Sequence, residues 1–443
     1  MSAMTATGGF GRLSMLNAMT QPSGPYRALV CIFLYGGNDS NNLVVPMDAA
    51  NLGNYKKYRG ALALDTSAAA ATPMVDFASG AFKLHGQFSP LSGFLSETAF
   101  VANVGTLVKP TTRAAYQAHS APLPNNLFSH ADQQGEMQTA EADGLSTTGW
   151  AGRLADHLPT LNFNPGSSYP AFVSVAGNAM LGLGSSTHPG SVTPNVAPGL
   201  RGFGTDAGSV ARLNALESLV SQDTLLTDSG AVLLKAASKN MNNSLKDSAT
   251  LATALKGAPA LTTAFPTTSI GNQLKQVAEL IQVRNALRMD HQIFFCSLGG
   301  FDTHTAQLND QQNLYGQLSA AMAAFYKATE TDLRIADQVT AFTESDFSRT
   351  LLPNSNGGTD HGWGSHHIVM GASVKGNKMY GAFPTLLPSG PDDEGGEGRW
   401  IPTTAVDQYA ATLAQWFGLP ASGLPAVFPN INNFTVKDVG FFG

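Results

Sequence analysis

The sequence predicts an α/β fold with a central, mostly parallel sheet and helices on both faces. Residues 28–34, 293–298 and 338–343 are largely apolar runs of strand length, without the alternation of a strand that has one wet face. Each run opens into small residues and an acid: Tyr35-Gly36-Gly37-Asn38-Asp39, Gly299-Gly300-Phe301-Asp302-Thr303-His304 and Glu344-Ser345-Asp346. Between the last two, residues 307–331 read as one long helix, and residues 270–288 carry apolar side chains at helical spacing ahead of the second run.

The remaining elements follow in order. Residues 1–25 are rich in Met, Ala, Gly and Ser, and Leu16-Asn17-Ala18-Met19-Thr20-Gln21 resembles the end of an export signal. No basic stretch, twin arginine or full-length apolar segment precedes it, so the signal is incomplete or absent and the segment reads as a loose terminus or signal remnant. Residues 26–443 are expected to form a single α/β domain. Residues 99–105 are a further strand, and Ser129 with Asp132 three positions on reads as a helix N-cap. A serine there is also a reasonable nucleophile position, because free N–H groups and the helix dipole favour an attached anion. Residues 145–265 mix helical stretches (150–158, 210–226, 231–255), a strand (171–176) and a Gly/Ser/Pro-rich loop (182–204). They are expected to form an insertion covering the site. No uncharged apolar run is long enough to span a bilayer.

In a parallel sheet, the ends of successive strands lie along one edge, so Asp39, Asp302 and Asp346 can converge there. The loop Gly357-Gly358-Thr359-Asp360-His361-Gly362-Trp363-Gly364-Ser365-His366-His367 adds three histidines to one glycine-rich segment ahead of a strand starting near Ile368. Imidazole and carboxylate are common ligands for transition ions, and glycine lets backbone approach a ligand closely. His304, two residues after a strand-end aspartate, joins this group. Acids and histidines together have the composition of a two-metal hydrolytic site. Cys31 and Cys296 both sit in apolar runs and offer neither a disulfide framework nor a four-cysteine zinc site.

The motifs at Tyr35–Asp39, Phe128-Ser129-His130-Ala131-Asp132-Gln133, Gly299–His304, Ser345-Asp346-Phe347-Ser348-Arg349-Thr350, Gly358–Gly362 and Ile401-Pro402-Thr403-Thr404-Ala405-Val406-Asp407-Gln408-Tyr409 resemble a bacterial family of unknown function, family 1501 of such domains. Its members are usually exported by the twin-arginine route, so the resemblance implies a periplasmic or exported protein. The family is similar to the alkaline phosphatase and sulfatase superfamily, which implies an alkaline-phosphatase-like sheet with metals at its carboxyl edge. Carried over by position, Asp39 and Asp346 would hold one metal beside the nucleophile, and Asp302, His304 and His361 the other. Asp360, His366 and His367 are further candidates, although neighbouring strand residues face opposite sides and cannot all reach one ion. The chain departs from the pattern at Phe347, where a histidine is expected, and at Ser348, where a glycine is expected. The Cys/Ser-Pro-Arg sulfatase signature is absent, and Pro110-Thr111-Thr112-Arg113 is only a faint echo of it, which disfavours sulfatase chemistry.

A net charge of -6 without basic blocks argues against nucleic acid as a partner. Two classes of function follow. One is a hydrolase of phosphate or related esters, acting on a small-molecule or polymer substrate with one or two divalent ions (zinc, calcium, magnesium or manganese). There the attacking group is Ser129, a threonine or metal-bound water, and Arg349 steadies developing charge. The alternative is a non-catalytic, metal-stabilised binding or assembly protein of the bacterial cell envelope.

Overall fold

A computed structural model describes residues 25–443 except 145, 201, 205 and 226–228, so the signal-like residues 16–21 lie outside the described part. The strands are β1 (Arg27–Tyr35), β2 (Val44–Pro46), β3 (Val75–Phe77), β4 (Phe82–Leu84), β5 (Thr98–Gly105), β6 (Phe172–Ser174), β7 (Gly190–Ser191), β8 (His291–Gly299), β9 (Val339–Ser345), β10 (Ser365–Met370), β11 (Lys378–Tyr380) and β12 (Thr404–Ala405). The helices that matter here are α1 (Ala49–Arg59), α2 (His130–Thr139), α3 (Trp150–His157), α4 (Ala207–Asp223), α5 (Val232–Lys256), α6 (Ser269–Gln282), α7 (Gln307–Thr331) and α8 (Val406–Phe417).

Every residue from Ala28 to Leu34 is buried. Successive side chains of a strand face opposite sides, so both faces of β1 are covered, as its unbroken apolar run requires. β1 lies inside a sheet ordered β11-β5-β10-β9-β1-β8-β6-β7, with β12 also beside β5. β1 runs parallel to both β8 and β9, in a register that sets Tyr35 against Gly299 and Leu34 against Ser345. The three strands therefore finish level, and the segments holding Asp39, Asp302 and Asp346 leave the sheet at one edge. β10 is antiparallel to β9 and β5, so it starts where they end, with Ser365 opposite Val104. That reversal is what brings the histidine loop preceding β10 to the same edge.

Residues 145–265, expected as an insertion, build part of the sheet. They contribute β6 and β7 to the sheet through parallel pairing of β6 with β8. The loops ahead of β6 and β7, together with α5, wall a cavity of about 990 Å³. Residues within 192–199, after β7, line it as well, and on the β6 side it borders the start of β8, where Asn164 Nδ2 donates to the His291 carbonyl at 2.8 Å. Among the described residues, no helix is long and apolar enough to cross a membrane.

The core contains a carboxyl group. Glu344 of β9 is fully buried, accepts from Trp150 Nε1 at 3.2 Å and lies 4.0 Å from Cys31 Sγ. Burial pushes its carboxyl up to about 8. The folded protein thus keeps this proton where the unfolded chain has lost it, so the stability it contributes is complete below the ordinary glutamate value and is lost as pH rises toward 8. His366 and His367, pushed down to about 3 by burial, give the opposite slope, but only below about pH 6.5. Denaturant unfolding at about pH 6.5 and pH 8 is therefore expected to show stability falling with pH, and Glu344→Gln to reduce that fall by about 1.4 kcal/mol per pH unit.

Candidate metal centre

At the carboxyl edge the three strand-end acids have different surroundings. Asp302, after β8, is about half exposed and is the one that meets histidines. Its Oδ1 lies 3.0 Å from His304 Nε2, 3.4 Å from His130 Nε2 and 3.6 Å from His361 Nε2. The Nε2 atoms of His304 and His361 are 3.1 Å apart. Ligand atoms about 2.1 Å from a tetrahedral ion stand about 3.4 Å from one another, so these spacings are those of a coordination shell.

The other ring nitrogens fix the tautomers. His361 Nδ1 donates to the Phe128 carbonyl at 2.6 Å, His304 Nδ1 to Asp360 Oδ1 at 2.9 Å and His130 Nδ1 to Asp346 Oδ2 at 2.7 Å. A carbonyl or carboxylate accepts only, so each Nδ1 carries a proton and, in the neutral imidazole, each Nε2 is left with a lone pair. Two such lone pairs 3.1 Å apart repel unless a proton or a cation is shared between them. His130 Nε2 is moreover buried without a hydrogen-bond partner. Among the described residues, the ligand atoms of His130, Asp302 and His361 all lie within 4.8 Å of one another, and His304 Nε2 stands beside two of them; imidazoles with a carboxylate fit a transition ion by donor chemistry.

Charge around the cluster follows from its neighbours. Burial alone would raise the Asp302 carboxyl, but the hydrogen bond and charge of Arg349, with His130 and His304, hold it below the usual range. The hydrogen bond to Asp346 raises His130, whereas burial lowers His361. Phe347, standing where a histidine was expected, packs against the rings of His130 and His361 at centroid distances of 4.7 and 4.9 Å. It is an apolar floor for the imidazoles, not a ligand.

The structure brings Asp302, His304 and His361 together and places beside them His130, which sequence reasoning did not nominate. Its only signal was its place in the Phe128–Gln133 motif, where Ser129 and Asp132 already read as a cap. Asp39 and Asp346, expected to share a metal, are each engaged by protein groups. The Asp39 side chain is wholly buried, accepts from Asn41 N at 3.0 Å and contacts Arg59 Nη2 and Gln307 Nε2. Asp346 is buried and accepts from Gly36 N, Gln134 Nε2 and His130 Nδ1, so it orients a histidine instead of facing the cluster. Arg349, expected beside the substrate, has no exposed side-chain surface. It donates to Asp302 Oδ1 at 2.7 Å, to Gly36 O at 3.3 Å and to Thr359 O. Ser129 is the N-cap residue of α2 by position, but its hydroxyl donates to Asp132 Oδ2 at 2.5 Å and makes no capping bond to the helix backbone. His366 and His367 are buried in β10, where His366 Nδ1 accepts from Asn103 N at 2.9 Å and His367 stacks on Tyr409. Neither joins the cluster.

Fold and site define an α/β protein with a histidine- and aspartate-lined centre at the carboxyl edge of a mostly parallel sheet. The chain belongs to the family described as protein of unknown function (DUF1501), whose model matches residues 26–389. No curated protein matches it. Among solved structures it is similar to a 2-O GAG sulfatase (10% identity over 92% of this chain and 75% of that one, TM-score 0.30). It is also similar to a putative sulfatase from Bacteroides thetaiotaomicron (9% identity, 92% and 75%, TM-score 0.29). A third is Ps i-CgsB in complex with k-i-k-neocarrahexaose (10% identity, 92% and 77%, TM-score 0.33). Likeness at this level does not bear on chemistry.

Gly36 is where the strand ends meet most tightly. It has φ +111°, and a Cβ there would stand 2.4 Å from the backbone nitrogen of Asp302. Gly36→Ala is expected to cost about 1–3 kcal/mol in denaturant unfolding and to weaken zinc binding in a titration, because Asp302 must move. Wild-type values in both measurements would show that this approach does not set the position of Asp302.

Proposed function

We propose that the protein is a metal-dependent hydrolase of phosphate or related esters whose centre is His130, His304, His361 and Asp302. The observation that carries the reading is the convergence of the His304 and His361 lone pairs at 3.1 Å, beside Asp302 and the unpartnered His130 nitrogen. A divalent ion held there would supply Lewis-acid polarisation of a substrate oxygen. The chain's own part is orientation. Asp346, Asp360 and the Phe128 carbonyl hold the three rings in the tautomer that ligation needs, and Arg349 holds Asp302. Phe347 keeps water from one side of the rings. Ser129 is proposed as the attacking group, since its hydroxyl is already donated to the Asp132 carboxylate, the nucleophile-and-acceptor pairing such chemistry needs.

The test is a screen of phosphate mono- and diesters and sulfate esters with zinc-loaded protein, followed by two variants. His304→Ala is expected to remove metal and turnover together. Ser129→Ala is expected to lower kcat by at least about 100-fold with metal content unchanged. Turnover within about tenfold of wild type would transfer the attack to water and leave Ser129 a local role at the helix start, of about 1 kcal/mol or less.

The second reading, a metal-stabilised binding or assembly protein of the cell envelope, is favoured by one observation: Arg349 and Asp39 are both engaged inside the protein and present nothing to a substrate. Metal-replete wild type that turns over none of these esters would decide for it.

A further inference from the structure

We infer that the centre takes a single ion of the zinc class, and that Arg59 neutralises the carboxylate expected to hold a second one. This rests on the metal-dependent reading above and narrows it.

The two carboxylates expected to hold a second ion, Asp39 and Asp346, are occupied. Asp39 accepts from the Asn41 N–H and the Gln307 amide and forms an ion pair with Arg59, with neither side chain of the pair exposed. Arg59 is itself held in place by Asn42 Oδ1 at 3.1 Å, Thr350 O at 2.9 Å and Leu351 O at 3.1 Å. Removing that arginine to admit an ion would break a fully buried network. Asp346 receives Gly36 N at 3.2 and 3.3 Å on its two oxygens, besides the Gln134 and His130 donors. An ionised carboxylate has about four lone-pair sites, and a buried one whose donors already fill most of them has little left for a cation. Phe347, between the rings of His130 and His361, offers no ligand atom.

Charge points the same way. With Arg59 and Arg349 buried, one divalent ion balances the carboxylates Asp39, Asp302, Asp346 and Asp360. A second ion would exceed that balance by two positive charges. The donor set then selects the ion. Calcium and magnesium take oxygen-rich shells, whereas three imidazoles and one carboxylate suit zinc, which also outranks manganese at nitrogen sites.

The test uses the full chain, freed of metal with a chelator, equilibrated with equimolar zinc, manganese, calcium and magnesium, desalted and analysed for elements and by native mass spectrometry. About one zinc per chain, with no calcium or magnesium retained, is expected. Two ions per chain, or retention of an alkaline-earth ion, would overturn the inference while leaving the metal reading intact; no retained ion would overturn the metal reading itself. Chelator competition then separates the residues. His130→Ala is expected to weaken zinc binding by about 100-fold or more, beyond what the loss of an orienting neighbour does. Asp39→Asn paired with Arg59→Met, which removes both buried charges together and so preserves folding better than either change alone, is expected to leave zinc affinity within about threefold of wild type. A large loss of zinc in that double variant, measured on protein with wild-type circular dichroism, would place Asp39 among the ligands and overturn the inference.

Discussion

A buried guanidinium ties the functional edge together. Arg349 follows β9, yet its donors reach Asp302 after β8, the Gly36 carbonyl after β1 and the Thr359 carbonyl of the histidine loop. Three chain segments thus converge on one planar, permanently charged group whose fork of donors suits several acceptors at once. Thr359 passes the connection on, donating to Gln307 at the start of α7, and Gln307 in turn donates to Asp39. A continuous polar chain thus runs from Arg349 through Thr359 and Gln307 to Asp39, with Arg349 as the member that touches Asp302.

Such a network exists only because the sheet makes its parts coincide. Parallel pairing of β8, β1 and β9 with level ends places three acids side by side, and the antiparallel β10 returns the histidine loop to the same edge. The acids then diverge in role by burial. Asp302, the exposed one, is free to meet imidazoles; Asp39 and Asp346, enclosed, must collect donors to offset desolvation, and they collect Arg59 and His130. Similar strand-end acids thus become, in turn, a ligand candidate, an ion-pair partner and the support of a histidine.

Much of this was legible from residues alone. The both-face burial of β1 and β9 was written in their unbroken apolar runs, and the long helix over 307–331 appears with those bounds. Asp302, His304 and His361 could be nominated because their spacing and their glycine-rich surroundings leave few other reasons for such side chains. His130 could not, since its neighbours Ser129 and Asp132 already satisfy the pattern of a helix start and its ring meets the cluster only through the placement of α2. Nor could the fate of Asp39 be read, because Arg59 ends a short polar helix with no local sign of a buried partner.

The sequence by itself determined the class of fold, the edge at which chemistry-bearing residues gather and the donor types assembled there, since periodicity and composition are local properties of the chain. Only the tertiary structure decided which donors share a region, which tautomers they adopt and which acids are neutralised from within. Those outcomes depend on side-chain direction and on distances of a few ångströms between segments up to hundreds of residues apart, and a linear pattern contains neither.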